Sequence, residues 1–203
     1  MAVVYAYQFP EGIFEVHNSK PNLTLKRVKQ THSADVAVCS QFPNEAEVLA
    51  EADALIDHDK THNLAILTAD CIPVLFLGEK GNVFVHAGWM GVKNQISLNP
   101  TIKACEPHTI FLGPHIRSES FEVQPDFKNH FNEEKYYFTR DQKLYFDLTA
   151  KLIDDLKNHF PGTLIIDSEL NTFTDQRFHS YRRNKTILRN WNVFRPYRGL
   201  NER

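Results

Sequence analysis

Through the first two thirds of the chain the apolar positions fall in short runs: Val3–Tyr7, Gly12–His17, Leu25–Val28, Val36–Val38, Leu64–Leu67, Ile72–Leu77, Val83–His86 and Thr109–Gly113. Runs of this length, rich in Val, Ile, Leu and Phe and bounded by turn residues, predict β-strands. Most are apolar throughout rather than alternating, so they belong to a sheet covered on both faces. Gly78-Glu79-Lys80-Gly81-Asn82 supplies the glycines of a hairpin turn and brings Cys71 and His86 to the same open end. Whether the two side chains face each other depends on register, because a slip of one residue turns a side chain to the opposite face.

The period changes further on. Leu148, Leu152, Ile153, Leu156 and Phe160 recur at helical spacing behind Asp147 as N-cap, and Pro161-Gly162 stops the run. This predicts a surface helix with one apolar stripe. Pro125 opens a short helix through Phe131, Gly91–Leu98 predicts another, and Leu164–Ile166 returns to strand. Pro43–Glu51 reads as an acidic surface piece, loop or helical. With no linker, repeat or low-complexity segment, the 203 residues predict a single domain, 1–203.

Composition narrows the partners. Apolar residues make up 42%, charged residues 24%, and the formal net charge is -2, which gives no electrostatic reason to bind nucleic acid or an anionic membrane. A small-molecule partner is the expectation. Three widely spaced cysteines, Cys39, Cys71 and Cys105, argue against a disulfide framework and for a reducing compartment. The opening residues lack a basic and apolar leader pattern, and no apolar stretch approaches the ~18 residues of a membrane span. The chain reads as cytoplasmic.

Three residues stand out chemically. Gln30-Thr31-His32, Thr68-Ala69-Asp70-Cys71-Ile72-Pro73-Val74 and Val85-His86-Ala87-Gly88-Trp89 offer two imidazoles and a thiolate, a ligand set for a borderline-soft metal such as zinc that leaves one position open. The same trio also suits a metal-free reaction in which Cys71 is the nucleophile and a histidine lowers its pKa. Asp70 and Thr68 are polar in the middle of an apolar run, and Pro73 removes a ladder donor just after Cys71, which predicts a break in the strand. Gly88 and Gly91 flank Trp89 and permit close backbone approach beside an aromatic wall. Ser180-Tyr181-Arg182-Arg183 pairs an aromatic ring with two guanidiniums, suited to a base and a phosphate or to a solvated turn. Lys29, in Lys26-Arg27-Val28-Lys29, is a further cation, and Gly113-Pro114-His115-Ile116 is a candidate pocket rim. Six other histidines, His58, His62, His108, His130, His159 and His179, read as surface residues. Walker, GxGxxG, GxSxG, HExxH and zinc-deaminase signatures are all missing.

Taken together with Ala52-Asp53-Ala54-Leu55, Leu112-Gly113-Pro114-His115-Ile116 and Phe121-Glu122-Val123, these blocks resemble the laccase-domain family in its own order from about residue 25 to residue 190. That family was first called multicopper polyphenol oxidase and is now regarded as purine nucleoside phosphorylase of the YfiH type. The resemblance implies an α/β (α+β) domain with a mixed β-sheet core in an α-β-β-α arrangement, similar to cysteine-hydrolase and toxin domains. It implies a zinc site of His32, Cys71 and His86, with copper an alternative metal, and phosphorolysis of adenosine, inosine, guanosine and methylthioadenosine with an added adenosine deaminase activity. In that reading His32, Cys71, His86 and Asp70 carry the chemistry, Asp70 moving the proton. Trp89, Tyr181, Arg182, Arg183 and Lys29 meet the substrates, purine nucleoside and phosphate, in a monomer or weak homodimer. The chain departs from the family at Met90, where arginine is usual, at Arg117-Ser118-Glu119-Ser120-Phe121, which lacks a further cysteine, and in a shortened N-terminal region. Alternatives are a cysteine hydrolase editing peptidoglycan precursors, a copper polyphenol oxidase, and an inactive nucleoside-binding protein.

Overall fold

The computed structural model describes residues 2–197, so residues 1 and 198–203 of the expected domain lie outside it. Two six-stranded sheets pack face to face. The first runs Val3–Phe9, Gly12–His17, Asn190–Pro196, Leu64–Thr68, Lys26–Lys29, Val48–Glu51, and the second Leu164–Asp167, Pro107–Leu112, Ile72–Gly78, Gly81–Ala87, Ala54–Asp57, Val36–Val38. Both are mixed, with parallel pairs between 26–29 and its two neighbours, between 36–38 and 54–57, and between 107–112 and 164–167. A small antiparallel sheet joins Glu122–Val123, Lys143–Phe146 and Tyr137–Arg140.

The unbroken apolar runs have the predicted cause. All residues of Ile72–Gly78 and Gly81–Ala87 are buried, because the second sheet is covered on both faces. Leu75, Leu77, Phe84 and Phe111 face the first sheet and meet Phe14 and Phe194. Phe14 packs edge-on against Phe111, with ring centroids 4.9 Å apart. On the far face Val74, Phe76, Val83 and Val85 meet Leu148, Leu152, Leu156 and Phe160. Full burial of each such side chain contributes roughly 1.5–3 kcal/mol. The helix carrying that stripe is Leu148–His159, and the Asp147 carboxylate accepts from the Ala150 N–H at 2.8 Å. The outer face of the first sheet is covered by Leu25, Ala65 and Val193 with Leu23 and Trp191, and not by a helix among the described residues.

Other elements shift from the sequence reading. Half of the acidic piece 43–51 is an edge strand, Val48–Glu51, whose acidic flank pairs with Arg27 and Lys29. The segment 91–98 splits into an α-turn Trp89–Lys93 and a 3-10 turn Ile96–Leu98, because Gln95 is left-handed (φ 58°). Pro125–Asn129 is a 3-10 turn. Asn190–Pro196 goes unannounced by pattern because its inward positions include Asn192, which donates to Ile66 O and Thr68 Oγ1 at 3.0 Å.

His115, a candidate rim residue, is fully buried. Its Nδ1–H donates to Gly113 O at 2.7 Å and its Nε2 accepts from Thr149 Oγ1 at 2.8 Å. Burial, with the Arg117 charge beside it, pushes its pKa down to about 4.

The site is placed by topology. Three times the chain crosses from the first sheet into the second: after Lys29, after Glu51 and after Thr68. These crossovers carry His32, Asp53 and Cys71, and they lie side by side because the strands that feed them, 64–68, 26–29 and 48–51, are consecutive in the first sheet.

Because His115 is neutral in the fold, the unfolded chain, with histidine near its ordinary ~6.5, binds more protons between that value and about 4. This contribution to stability is complete above pH ~6.5 and is lost on acidification, on the order of 3 kcal/mol in all. Denaturant midpoints from pH 7 to pH 4 should fall accordingly, and His115→Gln, less stable at pH 7, should show a shallower slope.

Candidate metal centre

Each of the three donors is brought in by a different device. Asp70, with φ 94°, turns the chain out of Leu64–Thr68 and sets Cys71 at the mouth of the strand that follows. His32 sits at φ 59° in its crossover, so its ring projects back over that mouth. His86 comes from the strand Gly81–Ala87, where it pairs with Pro73 across the hairpin. One donor atom from each of His32, Cys71 and His86 lies within 4.8 Å of the others. The two imidazoles meet edge-on with centroids 4.8 Å apart. Gly88 makes room for this: a Cβ there would stand 3.1 Å from Cys71 Sγ and 3.4 Å from the His32 ring.

Asp53 organises the group. Its carboxylate is wholly buried; Oδ1 lies 2.7 Å from His86 Nδ1, and Oδ2 accepts from Ser33 N at 2.6 Å, Thr31 N at 3.0 Å and Ser33 Oγ at 3.0 Å. One side chain thus holds both histidines, one by its ring and the other by the backbone on either side of it. Burial pushes the Asp53 carboxyl up, but hydrogen bonds from His86, Ser33 and Thr31 outweigh it and hold the group well below the usual carboxylate range. The bond to Nδ1 leaves Nε2 of His86 to face Cys71. Gln30 closes the upper edge, its amide accepting from Leu67 N at 2.8 Å and donating to Leu67 O at 2.7 Å, as a strand neighbour would.

The electrostatics suit a divalent ion. Burial pushes the Cys71 thiol up, but the His86 and His32 imidazoles outweigh it and bring it to about 6. For His86, burial lowers the pKa, whereas Cys71 and Asp53 raise it to about 9. The thiolate and imidazolium therefore pair when no ion is present. Two imidazole nitrogens and one thiolate, with a carboxylate behind one imidazole, are the donors and the support that zinc takes when one coordination position stays open.

A cleft of about 460 Å³ opens over the trio. Lys29 and Tyr181, named from sequence as substrate contacts, line it, together with Arg27 and Gln30, which the sequence offered only as neighbours within motifs, and Arg189, which it did not offer. Trp89 and Arg182 line a neighbouring cavity with Phe127 and His130 instead. Trp89 packs there against the His130 ring in a tilted pair with centroids 4.6 Å apart, which takes His130 out of the purely surface role expected of it. Arg183 does not reach the cleft: its guanidinium donates to the carbonyls of Thr172, Phe173 and Phe178. Asp70 is engaged structurally too, with Oδ1 accepting from Thr172 Oγ1 at 2.7 Å and Oδ2 from Arg182 N at 2.6 Å. Its carboxylate anchors the turn Tyr181–Asn184 and is not among the groups lining the cleft. Sequence pointed to Asp53 only as part of a block, because its partner His86 lies 33 positions away.

Residues 14–193 match the family described as multi-copper polyphenol oxidoreductase laccase, and the chain belongs to that family. It is 31% identical over 141 residues to a purine nucleoside phosphorylase of Aquifex aeolicus, covering 67% of this chain and 66% of that protein. It is also 31% identical over 182 residues to the purine nucleoside phosphorylase YfiH of Shigella flexneri, with 83% and 73% of the two chains covered. Among solved structures, a Neisseria meningitidis protein is similar at a TM-score of 0.74 and 27% identity, over 86% of this chain and 75% of that one. The mixed two-sheet α/β fold is therefore that of the family.

Two outcomes follow for metal binding. Asp53→Asn presents an amide N–H₂ to His86 Nδ1 and drives the proton to Nε2, so zinc affinity in a competitive chelator titration should fall about 10- to 100-fold. Between about pH 6 and 9 the metal-free site keeps one proton, on His86, that the ion must displace. Zinc affinity should therefore rise about tenfold per pH unit over that range and level off above it.

Proposed function

We propose that this chain is a zinc-dependent purine nucleoside phosphorylase. The observation that carries the reading is the cleft itself: a three-donor cluster at its floor, cations on its walls and no aspartate or glutamate among its lining residues, in a chain whose relatives bear that name. At about 460 Å³ the cleft is of ordinary ligand size. Zinc, when bound, supplies a Lewis acid with one open coordination position.

The chain's own residues bind and orient. Tyr181, half exposed at the rim, offers a ring face to a purine. The cationic wall accepts the phosphate. A phosphate oxygen bonds to the anomeric carbon as the glycosidic C–N bond breaks, and the purine leaves with the electron pair. The proton of the attacking hydrogen phosphate balances the one the purine takes up, so the products are ribose 1-phosphate and free base. Holding the two reactants in line is the protein's main contribution. Adenosine, inosine, guanosine and methylthioadenosine share the bond that breaks and are the substrates to try. Deamination needs in addition a carboxylate at the base, and Asp70, the one expected to serve, is committed to Thr172 and Arg182.

A second reading has one observation in its favour. A Cys71 thiol at about 6 beside a His86 imidazole at about 9 is the poise of a cysteine nucleophile. Multicopper oxidation is less well supported than either, because His32, Cys71 and His86 form the single cluster of three or more donors among the described residues.

Chromatography of zinc-loaded protein incubated with adenosine, with and without phosphate, distinguishes these readings. The expected result is adenine and ribose 1-phosphate only when phosphate is present, lost in Cys71→Ala and on chelation and regained on adding zinc. Inosine as product would establish deamination. Hydrolysis of an acyl substrate that survives complete chelation but not thiol alkylation would replace the phosphorylase reading with the hydrolase.

A further inference from the structure

The charges around the cleft are unevenly compensated. Arg27 donates to Glu47 at 2.8 Å and Lys29 to Glu51 at 2.6 Å, so each has a carboxylate of its own just outside the rim. Arg189 is different. Its Nη1 donates to the backbone carbonyls of Thr186 at 3.1 Å and Leu188 at 2.9 Å, and among the described residues it has no carboxylate partner. The two carbonyl bonds fix the plane of the guanidinium while leaving its Nε and Nη2 edge unpartnered. That edge is the fork which grips two oxygens of one anion at once. The residue after it is rigidly held: Asn190 is buried, its Oδ1 accepting from His179 N and its Nδ2 donating to His179 O, both at 2.8 Å. The other guanidiniums singled out from sequence are occupied, Arg183 by backbone carbonyls and Arg182 by Glu122 O at 2.7 Å beside the other cavity.

On the reading given under Proposed function, we propose that Arg189 is the phosphate-binding residue of the cleft, its free guanidinium edge taking two oxygens of inorganic phosphate and placing that anion against the open side of the His32–Cys71–His86 cluster. One uncompensated guanidinium in a lining without carboxylates matches one small oxyanion. The nucleoside, which is uncharged, has no need of it, so the residue separates recognition of phosphate from recognition of the base.

The test is a set of steady-state and binding measurements on the zinc-loaded chain and its Arg189→Ala and Arg189→Lys variants. Loss of a charge-assisted fork should raise the KM for phosphate about 10- to 100-fold in Arg189→Ala, with kcat at saturating phosphate and the KM for nucleoside changed less than threefold and zinc content unchanged. Arg189→Lys should recover part of the phosphate affinity, as a point charge does without the fork. A phosphate KM within twofold of the parent in Arg189→Ala overturns the proposal while leaving the phosphorylase reading intact. Titration with inorganic phosphate followed by phosphorus NMR gives a readout independent of turnover. Phosphate binding that weakens at least tenfold in Arg189→Ala, in a protein that turns over no nucleoside, sustains the phosphate site and ends the phosphorylase reading. Binding that is absent in the parent at millimolar phosphate, or equal in parent and variant, overturns the phosphate site.

Discussion

The hydrogen bonds of the Asp53 carboxylate hold the site and the sheet packing in one unit. A carboxylate removed from water costs several kcal/mol unless its oxygens are satisfied, and here they are satisfied by groups from two other parts of the chain: the backbone on both sides of His32 and the ring of His86. The crossover bearing His32 cannot drift from the strand bearing His86 without stranding that charge. The third crossover is tied separately, through Gln30, whose amide pairs with both backbone groups of Leu67 just ahead of Cys71. The donors are therefore assembled before any ion arrives, which lowers the ordering cost of binding one.

Polar side chains around the cleft divide into those that hold the scaffold and those that remain available. Asp70, Arg183, Asn190 and Asn192 spend their hydrogen bonds on backbone groups or on Thr172 and Thr68, where the chain changes sheets or turns tightly. Positive φ at Asp70 and His32 is tolerated for the same reason: surrounding bonds over-determine two strained positions that aim Cys71 and His32 into one mouth. What is left facing the cleft is a soft donor set, an aromatic face and cations, the groups available to a small ligand. The family's descriptive name refers to several coppers, whereas the described residues bring together donors for a single ion.

Much of the architecture was legible because burial leaves a mark on composition. The runs 72–77 and 83–86 are apolar on both faces since two layers cover them, and the stripe from Leu148 to Phe160 has the period of a helix lying on that sheet. The strands that escaped notice have reasons of their own. Ala54–Asp57 is flanked by Glu51-Ala52-Asp53 and ends on a carboxylate, Val48–Glu51 is an edge with an exposed face, and Asn190–Pro196 buries amides that read as loop residues. The strands of the small sheet, Glu122–Val123, Tyr137–Arg140 and Lys143–Phe146, are short or largely exposed and carry no long apolar run.

The sequence by itself determined the donor types: two histidines and one cysteine, with Cys71 and His86 at the edges of apolar runs and glycine at 88 permitting close approach to the backbone. Those are matters of residue chemistry and local pattern, and they survive any arrangement of the strands. Which arginines are free, which carboxylate sits behind a ligand and which merely caps a turn were decided only by tertiary structure. Arg183 and Arg189 carry the same group six positions apart in the sequence, yet one is closed in by carbonyls and the other opens onto the cleft. Hydrogen-bond partners 33 or more positions away are set by how two sheets cross, and no local pattern encodes that.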